Sequence, residues 1–95
     1  MEHSITDVYE MHVLVKGKVQ GVGFRATTCY HAQELGLQGT VRNLSNGQVE
    51  IYAQGSKPQL KELMKRLNQE TKDMEETVIE YLPINQPYED FRIIY

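Results

Sequence analysis

A glycine-rich segment, residues 17–25 (GKVQGVGFR), separates two stretches of different hydrophobic period. Before it, side chains alternate between inward and outward positions from Tyr9 to Lys16, which predicts a β-strand. After it, apolar residues recur at helical spacing over residues 24–35, and Gly36 supplies a stop signal. The chain must therefore pass from strand to helix through a loop that contains three glycines.

A hairpin and a second helix are predicted next. Asn46-Gly47 stands between two alternating runs, residues 39–44 and 48–53, and this dipeptide is the strongest short-range hairpin signal. Ser56 and Gln59 match a capping box, a pattern that begins many helices. Apolar residues at helical spacing follow, so we predict a second helix with one apolar face.

The last part of the chain completes the predicted sheet. Residues 77–82 predict a fourth strand and residues 91–95 a short terminal one, while the charged run 70–76 predicts a helix end and linker. Because each helix has one apolar face, both should pack on the same face of an antiparallel sheet. The order β-α-β-β-α-β predicts an α+β, ferredoxin-like split βαβ sandwich. Many unrelated functions use this fold, so the function must be argued from a site.

Length, charge and cysteine content narrow the class of protein. With 95 residues, we expect one domain over residues 1–95, in which residues 1–8 form a flexible N-terminal extension. The net charge of −3 argues against a nucleic-acid partner. A single cysteine, Cys29, suits a reducing compartment, and no stretch approaches the ~18 apolar residues of a membrane span. We therefore expect a cytoplasmic monomer without a membrane partner.

The loop at residues 17–25 has the features of an anion site. Gly21 and Gly23 allow the backbone to approach a ligand closely, and the N-terminus of the next helix offers free N–H donors. Arg25 falls in the first helical turn, where the helix dipole disfavours a cation unless an anion binds there. Arginine also grips phosphate or carboxylate with two parallel hydrogen bonds. The alternative interpretation is a surface arginine over a tight turn.

Two other phosphate-binding motifs fit the sequence poorly. The Walker A pattern is absent from the sequence. Residues 21–26 satisfy G-x-G-x-x-[GA], but the acidic residue expected about 20 positions later is replaced by Asn46. The chain is also too short for the doubly wound sheet of dinucleotide-binding proteins.

Asn43 is an unusual residue near the end of the predicted second strand. Asparagine is depleted in strands, and its amide offers one acceptor and two donors. One interpretation is that Asn43 holds a water beside an anion bound in the loop. The other is a turn residue that hydrogen-bonds locally.

Two segments resemble the signatures of the acylphosphatase family. Residues 17–25 match G-x-V-Q-G-V-x-F-R at every fixed position, and residues 39–50 resemble G-x-V-x-N-x-x-D-G-x-V-E. The resemblance extends over residues 9–95. Asn46 stands where the family usually has aspartate. Because both residues suit a tight turn, we expect this difference to change turn stability rather than chemistry.

The resemblance implies that the chain hydrolyses acyl phosphates to a carboxylate and inorganic phosphate, with no metal and no other cofactor. It implies that Arg25 binds the phosphoryl group and that Asn43 orients the attacking water. Backbone N–H groups of the loop would surround the phosphoryl group. The residues implied in substrate binding are Gln20, Gly21, Val22, Gly23, Phe24 and Arg25.

Several alternatives remain beside this interpretation. The loop could serve a non-catalytic anion-binding or regulatory domain. Acylphosphatase-like domains also begin larger hydrogenase-maturation carbamoyltransferases, but no cysteine-rich zinc segment follows here, so we expect a separate enzyme. An RNA-binding module would need a K/R-G-F/Y-G/A-F pattern, which the sequence lacks. The three histidines and Cys29 show no metal-ligand spacing.

Overall fold

The computed structural model describes residues 7–21, 23–72 and 74–95. Its elements are β1 (Tyr9–Gly17), α1 (Phe24–Glu34), β2 (Gln38–Asn43), β3 (Val49–Gly55), α2 (Lys57–Glu70), β4 (Met74–Leu82) and β5 (Phe91–Ile93). This is the predicted β-α-β-β-α-β order with the extra terminal strand. The expected extension at residues 1–8 falls mostly on residues 1–6, which lie outside the described residues.

Five strands form one sheet in the order β4-β1-β3-β2-β5. β1 is antiparallel to both β3 and β4, and β2 is antiparallel to β3, which confirms the predicted split βαβ arrangement. β5 joins β2 in the parallel direction, so the complete sheet is mixed. The chain crosses from one edge of the sheet to the other between β4 and β5.

One face of the sheet carries both helices and the hydrophobic core. Alternate residues of the three central strands are buried there: Met11, Val13, Val15, Val41, Val49, Ile51 and Ala53. From α2, apolar residues at the predicted helical spacing complete the core: Leu60, Leu63, Met64 and Leu67. The described part of the chain contains no helix with the length and apolar character of a membrane span.

The predicted helix ends are confirmed. Gly36 has a positive φ of 74°, and the N–H of Leu37 donates to the Ala32 carbonyl at 2.9 Å, which ends α1. The Ser56 side chain accepts from the Gln59 N–H, and the full capping box is present at the start of α2. These local signals fix where α1 ends before β2 and where α2 begins after β3.

The charged run 70–76 was wrongly predicted as a helix end and linker throughout, because β4 begins at Met74. β4 lies at the edge of the sheet, and charged side chains are common on edge strands. Glu76 pairs with Lys16 of β1 across the ladder, with Nζ and Oε1 3.4 Å apart. Charge in this run therefore marks an exposed strand as well as a linker.

A buried amide directs the chain from β4 to β5. The Gln54 side chain donates to the Gln86 carbonyl at 2.9 Å and accepts from the Tyr88 N–H at 3.0 Å. These bonds hold residues 83–90 against the end of β3. The path they fix brings Ile93 beside Val41 of β2.

A buried carboxylate lies on the other face of the sheet. Glu50 Oε1 accepts from Arg42 Nε at 2.9 Å, and Glu50 Oε2 contacts His12 Nε2 at 2.8 Å. Burial raises the pKa of Glu50, but the hydrogen bonds to His12 and Arg42 outweigh it, so the pKa lies below its ordinary 4.5. The stabilisation from Glu50 is therefore present above the pKa of the unfolded chain and is lost as the pH falls through the lower folded value.

We expect Glu50→Gln to lower the free energy of unfolding by about 1–3 kcal/mol near pH 7, because hydrogen bonds to a charged acceptor are lost. The difference from the wild type should shrink as the pH falls through the lowered pKa of Glu50, because the wild-type carboxyl then becomes protonated too. Urea unfolding at several pH values measures this. Glu75→Gln, on exposed β4, is the matched control and should show little effect. A difference that stays constant with pH would contradict the argument.

Candidate active site

The loop between β1 and α1 depends on two left-handed glycines. Gly21 has φ of 77°, and Gly23, the N-cap of α1, has φ of 79° and ψ of 12°. Side chains other than glycine rarely adopt this conformation. No side chain caps the start of α1, and its first turn has no acidic residue. The sequence therefore builds a helix N-terminus whose positive end stays uncompensated by its own side chains.

Backbone N–H groups collect at this turn. The N–H groups of residues 20, 21 and 23–26 have no hydrogen-bond acceptor among the residues that the structure describes. The N–H of Thr27 is the first to donate within the helix, to the Gly23 carbonyl at 3.0 Å. Free donors at a helix start bind anions, because the donors and the dipole act together. The helix start therefore offers free donors at the position where the sequence predicts an anion site.

Arg25 stands in the first turn of α1, beside these donors. None of the carboxylates in the described chain lies within ion-pair distance of its guanidinium. Its Cζ lies 5.2 Å from the centre of the Tyr95 ring. A cavity of about 130 Å³ opens there, lined by Val19, Gly21, Gly23, Phe24, Arg25, Ala26 and Ile93. The cavity is therefore walled by apolar side chains and carries one positive charge.

Gln20 ties the loop to the β2–β3 hairpin. Its side-chain amide donates to the Leu44 carbonyl and to the Gln48 carbonyl, each at 2.8 Å. Leu44 directly follows Asn43 at the end of β2. The two sequence signatures are thus joined through one side chain, which sequence reasoning assigned only a backbone role.

Asn43 ends β2 on the same face as Val41, the face that carries the helices. Its Oδ1 atom is buried and has no hydrogen-bond partner among the described residues. A buried acceptor left unsatisfied costs about 1–3 kcal/mol, so such atoms usually bind water or a ligand. Asn43 does not line the 130 Å³ cavity itself. Asn43 directly precedes Leu44, whose carbonyl accepts a hydrogen bond from the Gln20 side chain. This position is consistent with the predicted role of orienting water, and that role stays a prediction.

The remaining predicted residues contribute in different ways. The Phe24 side chain is buried, so the donor that Phe24 offers to an anion is its backbone N–H. Val22 lies outside the described residues. Burial, and then the charge of Asp90, raise the pKa of the Cys29 thiol, which disfavours the thiolate. Cys29 instead packs against β5, with Sγ 3.6 Å from the Phe91 carbonyl oxygen.

A larger cavity of about 690 Å³ lies between the start of the loop and the hairpin tip. Its lining includes Lys16, Lys18, Asn46, Gln48 and Glu75. Neither Arg25 nor Asn43 contributes to it. Since its charges have both signs, it does not offer the concentrated donor set that the helix start provides.

Known proteins match this chain in sequence and in fold. A family model described as Acylphosphatase matches residues 11–93. The acylphosphatase of Marinobacter nauticus is 48% identical over 83 residues, which cover 85% of this chain and 90% of that relative. An acylphosphatase structure from Coxiella burnetii has a TM-score of 0.85 and 34% identity, and the match covers 99% of this chain and 100% of that one.

A crystal structure of an acylphosphatase from Bacillus subtilis superimposes with a TM-score of 0.86 and 27% identity, covering 92% of this chain and 99% of that chain. The matches in sequence and in structure both extend over most of the molecule. They include both signature segments, the glycine loop with Arg25 and the hairpin with Asn43. This chain therefore belongs to the acylphosphatase family.

Proposed function

We propose that this chain hydrolyses the carboxyl–phosphate bond of acyl phosphates, releasing a carboxylate and inorganic phosphate. One observation carries the proposal: Arg25 has no carboxylate partner in the described chain and stands among backbone donors without acceptors. A phosphoryl group, with its several charged oxygens, matches a guanidinium fork combined with N–H donors. Membership of the acylphosphatase family supports the same activity.

The loop would act by holding the phosphoryl group and stabilising charge. The Arg25 guanidinium and the N–H groups of residues 20, 21 and 23–26 bind its non-bridging oxygens. Because these donors are fixed before the substrate arrives, they stabilise the transition state without reorganising. The leaving group is a carboxylate, a weak base that departs without a strong acid. The site therefore needs no acid–base pair.

Asn43 would supply the attacking water. Its buried Oδ1 accepts an O–H of the water, which then forms a bond to phosphorus as the bridging P–O bond breaks. The electron pair of that bond leaves with the carboxylate, and a phosphoryl oxygen of the substrate accepts the water proton. A pH–rate profile that follows only the ionisation of the substrate would support this route, whereas a bell-shaped profile set by an enzyme histidine would contradict it.

Asn43 Oδ1, a buried acceptor without a described hydrogen-bond partner, also favours catalysis over simple anion binding. The ionised oxygens of a bound anion cannot donate a hydrogen bond to Asn43 Oδ1. A water O–H satisfies it directly. We further propose that the enzyme works without metal, since Arg25 and the backbone donors supply the charge stabilisation. A cytoplasmic location stays part of the proposal, supported by the single cysteine of the chain, and a monomeric state is proposed beside it.

Hydrolysis of benzoyl phosphate in excess chelator tests the proposal. We expect saturable turnover that releases benzoate and phosphate in equal amounts. In oxygen-18-labelled water, the label should appear in phosphate, because water attacks phosphorus. Label in benzoate would contradict the role given to the loop. No turnover, together with phosphate binding that depends on Arg25, would instead establish the non-catalytic alternative.

A further inference from the structure

Gln20 belongs to the glycine loop through its backbone and to the β2–β3 hairpin through its side chain. Its backbone N–H is one of the donors at the helix start that have no acceptor among the described residues. Its side-chain amide donates to the Leu44 carbonyl and to the Gln48 carbonyl, each at 2.8 Å, so both hydrogens of the amide nitrogen are used. One residue thus connects the proposed phosphoryl site with the residue that follows Asn43.

The two carbonyls that Gln20 reaches are the ones that close the hairpin. The Leu44 carbonyl accepts from the Gly47 N–H at 3.2 Å, and the Gln48 carbonyl accepts from the Leu44 N–H at 2.8 Å. A carbonyl oxygen has two lone pairs, and Gln20 supplies the second hydrogen bond to both of these oxygens. The amide therefore completes the hydrogen bonding directly beyond Asn43, the last paired residue of β2.

The part of the loop before Gly23 has few other attachments. Among residues 18–21, Lys18 and Gly21 are exposed, and Val19 is buried in the core. An apolar contact such as that of Val19 is not directional. The hydrogen bonds of Gln20 have a preferred direction and length, so they determine how the loop is oriented relative to the hairpin.

This orientation matters for the proposed reaction, because its two assigned side chains lie on different elements. Arg25 belongs to α1, which is anchored in the core by the buried side chains of Phe24 and Thr28. Asn43 belongs to β2. Attack on phosphorus requires the water to be aligned with the breaking P–O bond, and a misplacement of about 1 Å can cost about 100-fold in rate. A side chain that holds the loop against the end of β2 therefore bears directly on the rate.

We propose that Gln20 is a positioning residue: its side chain fixes Asn43 relative to the phosphoryl group in the loop, so that the attacking water is aligned. This proposal rests on the proposed function and adds a third side chain on which the reaction depends. Gln20 acts through Leu44 and Asn43, and its amide contacts neither the phosphoryl group nor the water. Because Arg25 and the backbone donors remain without that amide, binding of the phosphoryl group should depend on it much less than turnover does.

The kinetic test uses Gln20→Met, which keeps the length of the side chain and removes both donors. We expect kcat for benzoyl phosphate to fall about tenfold, while KM and the inhibition constant of inorganic phosphate change less than about threefold. Gln20→Asn keeps the amide on a shorter side chain and should lie between the wild type and Gln20→Met. Gln54→Met is the matched control, since Gln54 also donates to a distant carbonyl, that of Gln86 at 2.9 Å, but at the opposite end of β3. It should lower the free energy of unfolding and leave kcat unchanged.

A double-mutant cycle tests whether Gln20 acts through Asn43. In Asn43→Ala the acceptor for the water is already absent, so adding Gln20→Met should lower kcat further by less than about twofold. An equal loss in the wild type and in Asn43→Ala would overturn the proposal, as would an unchanged kcat in Gln20→Met alone. If urea unfolding shows that Gln20→Met does not fold, Gln20→Asn takes its place in the cycle.

Hydrogen exchange gives a readout that does not need turnover. Inorganic phosphate bound in the loop should slow exchange of the Leu44 N–H in the wild type but not in Gln20→Met, because Gln20 links the two segments. The Gly39 N–H, which donates to the Asp90 carbonyl at 2.8 Å at the other end of β2, is the internal reference. Equal slowing at Leu44 in both proteins would overturn the proposal. Slowing that depends on Gln20, without turnover of benzoyl phosphate, would support the link to Asn43 and contradict the proposed function.

Discussion

Arg25→Ala is expected to reduce kcat/KM for benzoyl phosphate at least ~100-fold, equivalent to about 2.7 kcal/mol of transition-state stabilisation. The reason is that Arg25 provides the one cationic side chain of the donor-lined cavity, with no carboxylate in the described chain to neutralise it. In the proposed mechanism, Arg25 forms two parallel hydrogen bonds to the phosphoryl group, and these bonds strengthen as the bond to the leaving carboxylate breaks. Steady-state kinetics with benzoyl phosphate measure the loss.

Two further arginine variants separate geometry from charge. Arg25→Lys keeps the positive charge but loses the planar fork, so it should recover only part of the lost activity. Arg92→Ala removes an equal charge from the neighbouring strand, where Arg92 pairs with Asp90 at 2.9 Å. This control should retain nearly full activity. Equal activity in Arg25→Ala and Arg92→Ala would show that Arg25 has no specific role.

Stability should respond to Arg25→Ala in the opposite direction from activity. A cation in the first turn of α1 opposes the helix dipole, at a cost of about 0.3–1 kcal/mol. Removing it should leave the free energy of unfolding unchanged or slightly increased. Such a trade-off between activity and stability is expected of a functional residue whose position lowers the stability of its helix. Marked destabilisation would mean that Arg25 is structural and that the activity loss reflects unfolding.

Local sequence patterns predicted most of the fold because each depends on residues a few positions apart. The Gly36 stop, the capping box at Ser56 and the hairpin at Asn46-Gly47 were all predicted in this way and are all present. At the hairpin, Asn46 Oδ1 accepts from the Gln48 N–H at 3.0 Å, a contact that aspartate could make equally. The turn therefore tolerates the departure from the family pattern.

Contacts between distant residues could not be predicted in the same way. Gln20 reaches carbonyls 24 and 28 residues away, and no periodicity in the sequence encodes such a bond. The parallel pairing of β5 with β2 depends on the amide of Gln54, which holds the crossing segment. The charged residues around Glu76 led to the wrong prediction of a linker. Charged side chains are tolerated there because an edge strand exposes both of its faces.

The same distinction between local patterns and long-range contacts applies to the candidate site. The glycine loop and Arg25 lie within nine consecutive residues, so their relation to the helix start followed from the sequence. For Asn43, the sequence left two interpretations open, a water-binding residue or a turn residue, because β2 and the loop meet through tertiary contacts. The contact between the Arg25 guanidinium and the Tyr95 ring was not predicted. The one sequence signal was the alternation of Phe91, Ile93 and Tyr95, which predicted a strand but not its neighbour.

Asn43→Ala is expected to reduce kcat for benzoyl phosphate at least ~100-fold, with less than about a threefold change in KM. Arg25 and the backbone donors remain, so the phosphoryl group still binds when substrate dissociation is fast. What disappears is the acceptor that aims the water, and positioning of this kind contributes several kcal/mol to catalysis. Inorganic phosphate should inhibit the variant and the wild type with similar strength, which gives an independent measure of binding.

The loss of activity expected for Asn43→Ala can be distinguished from a folding defect. Asn43 Oδ1 has no described partner, so its removal deletes no hydrogen bond within the described protein. Asn43→Ala should therefore unfold at nearly the wild-type urea concentration, and Asn46→Asp, at the exposed hairpin tip, should keep full kcat. If Asn43→Ala instead raised KM strongly at unchanged kcat, Asn43 would be a substrate ligand. The attacking water would then need another acceptor, and the mechanism would have to be assigned differently.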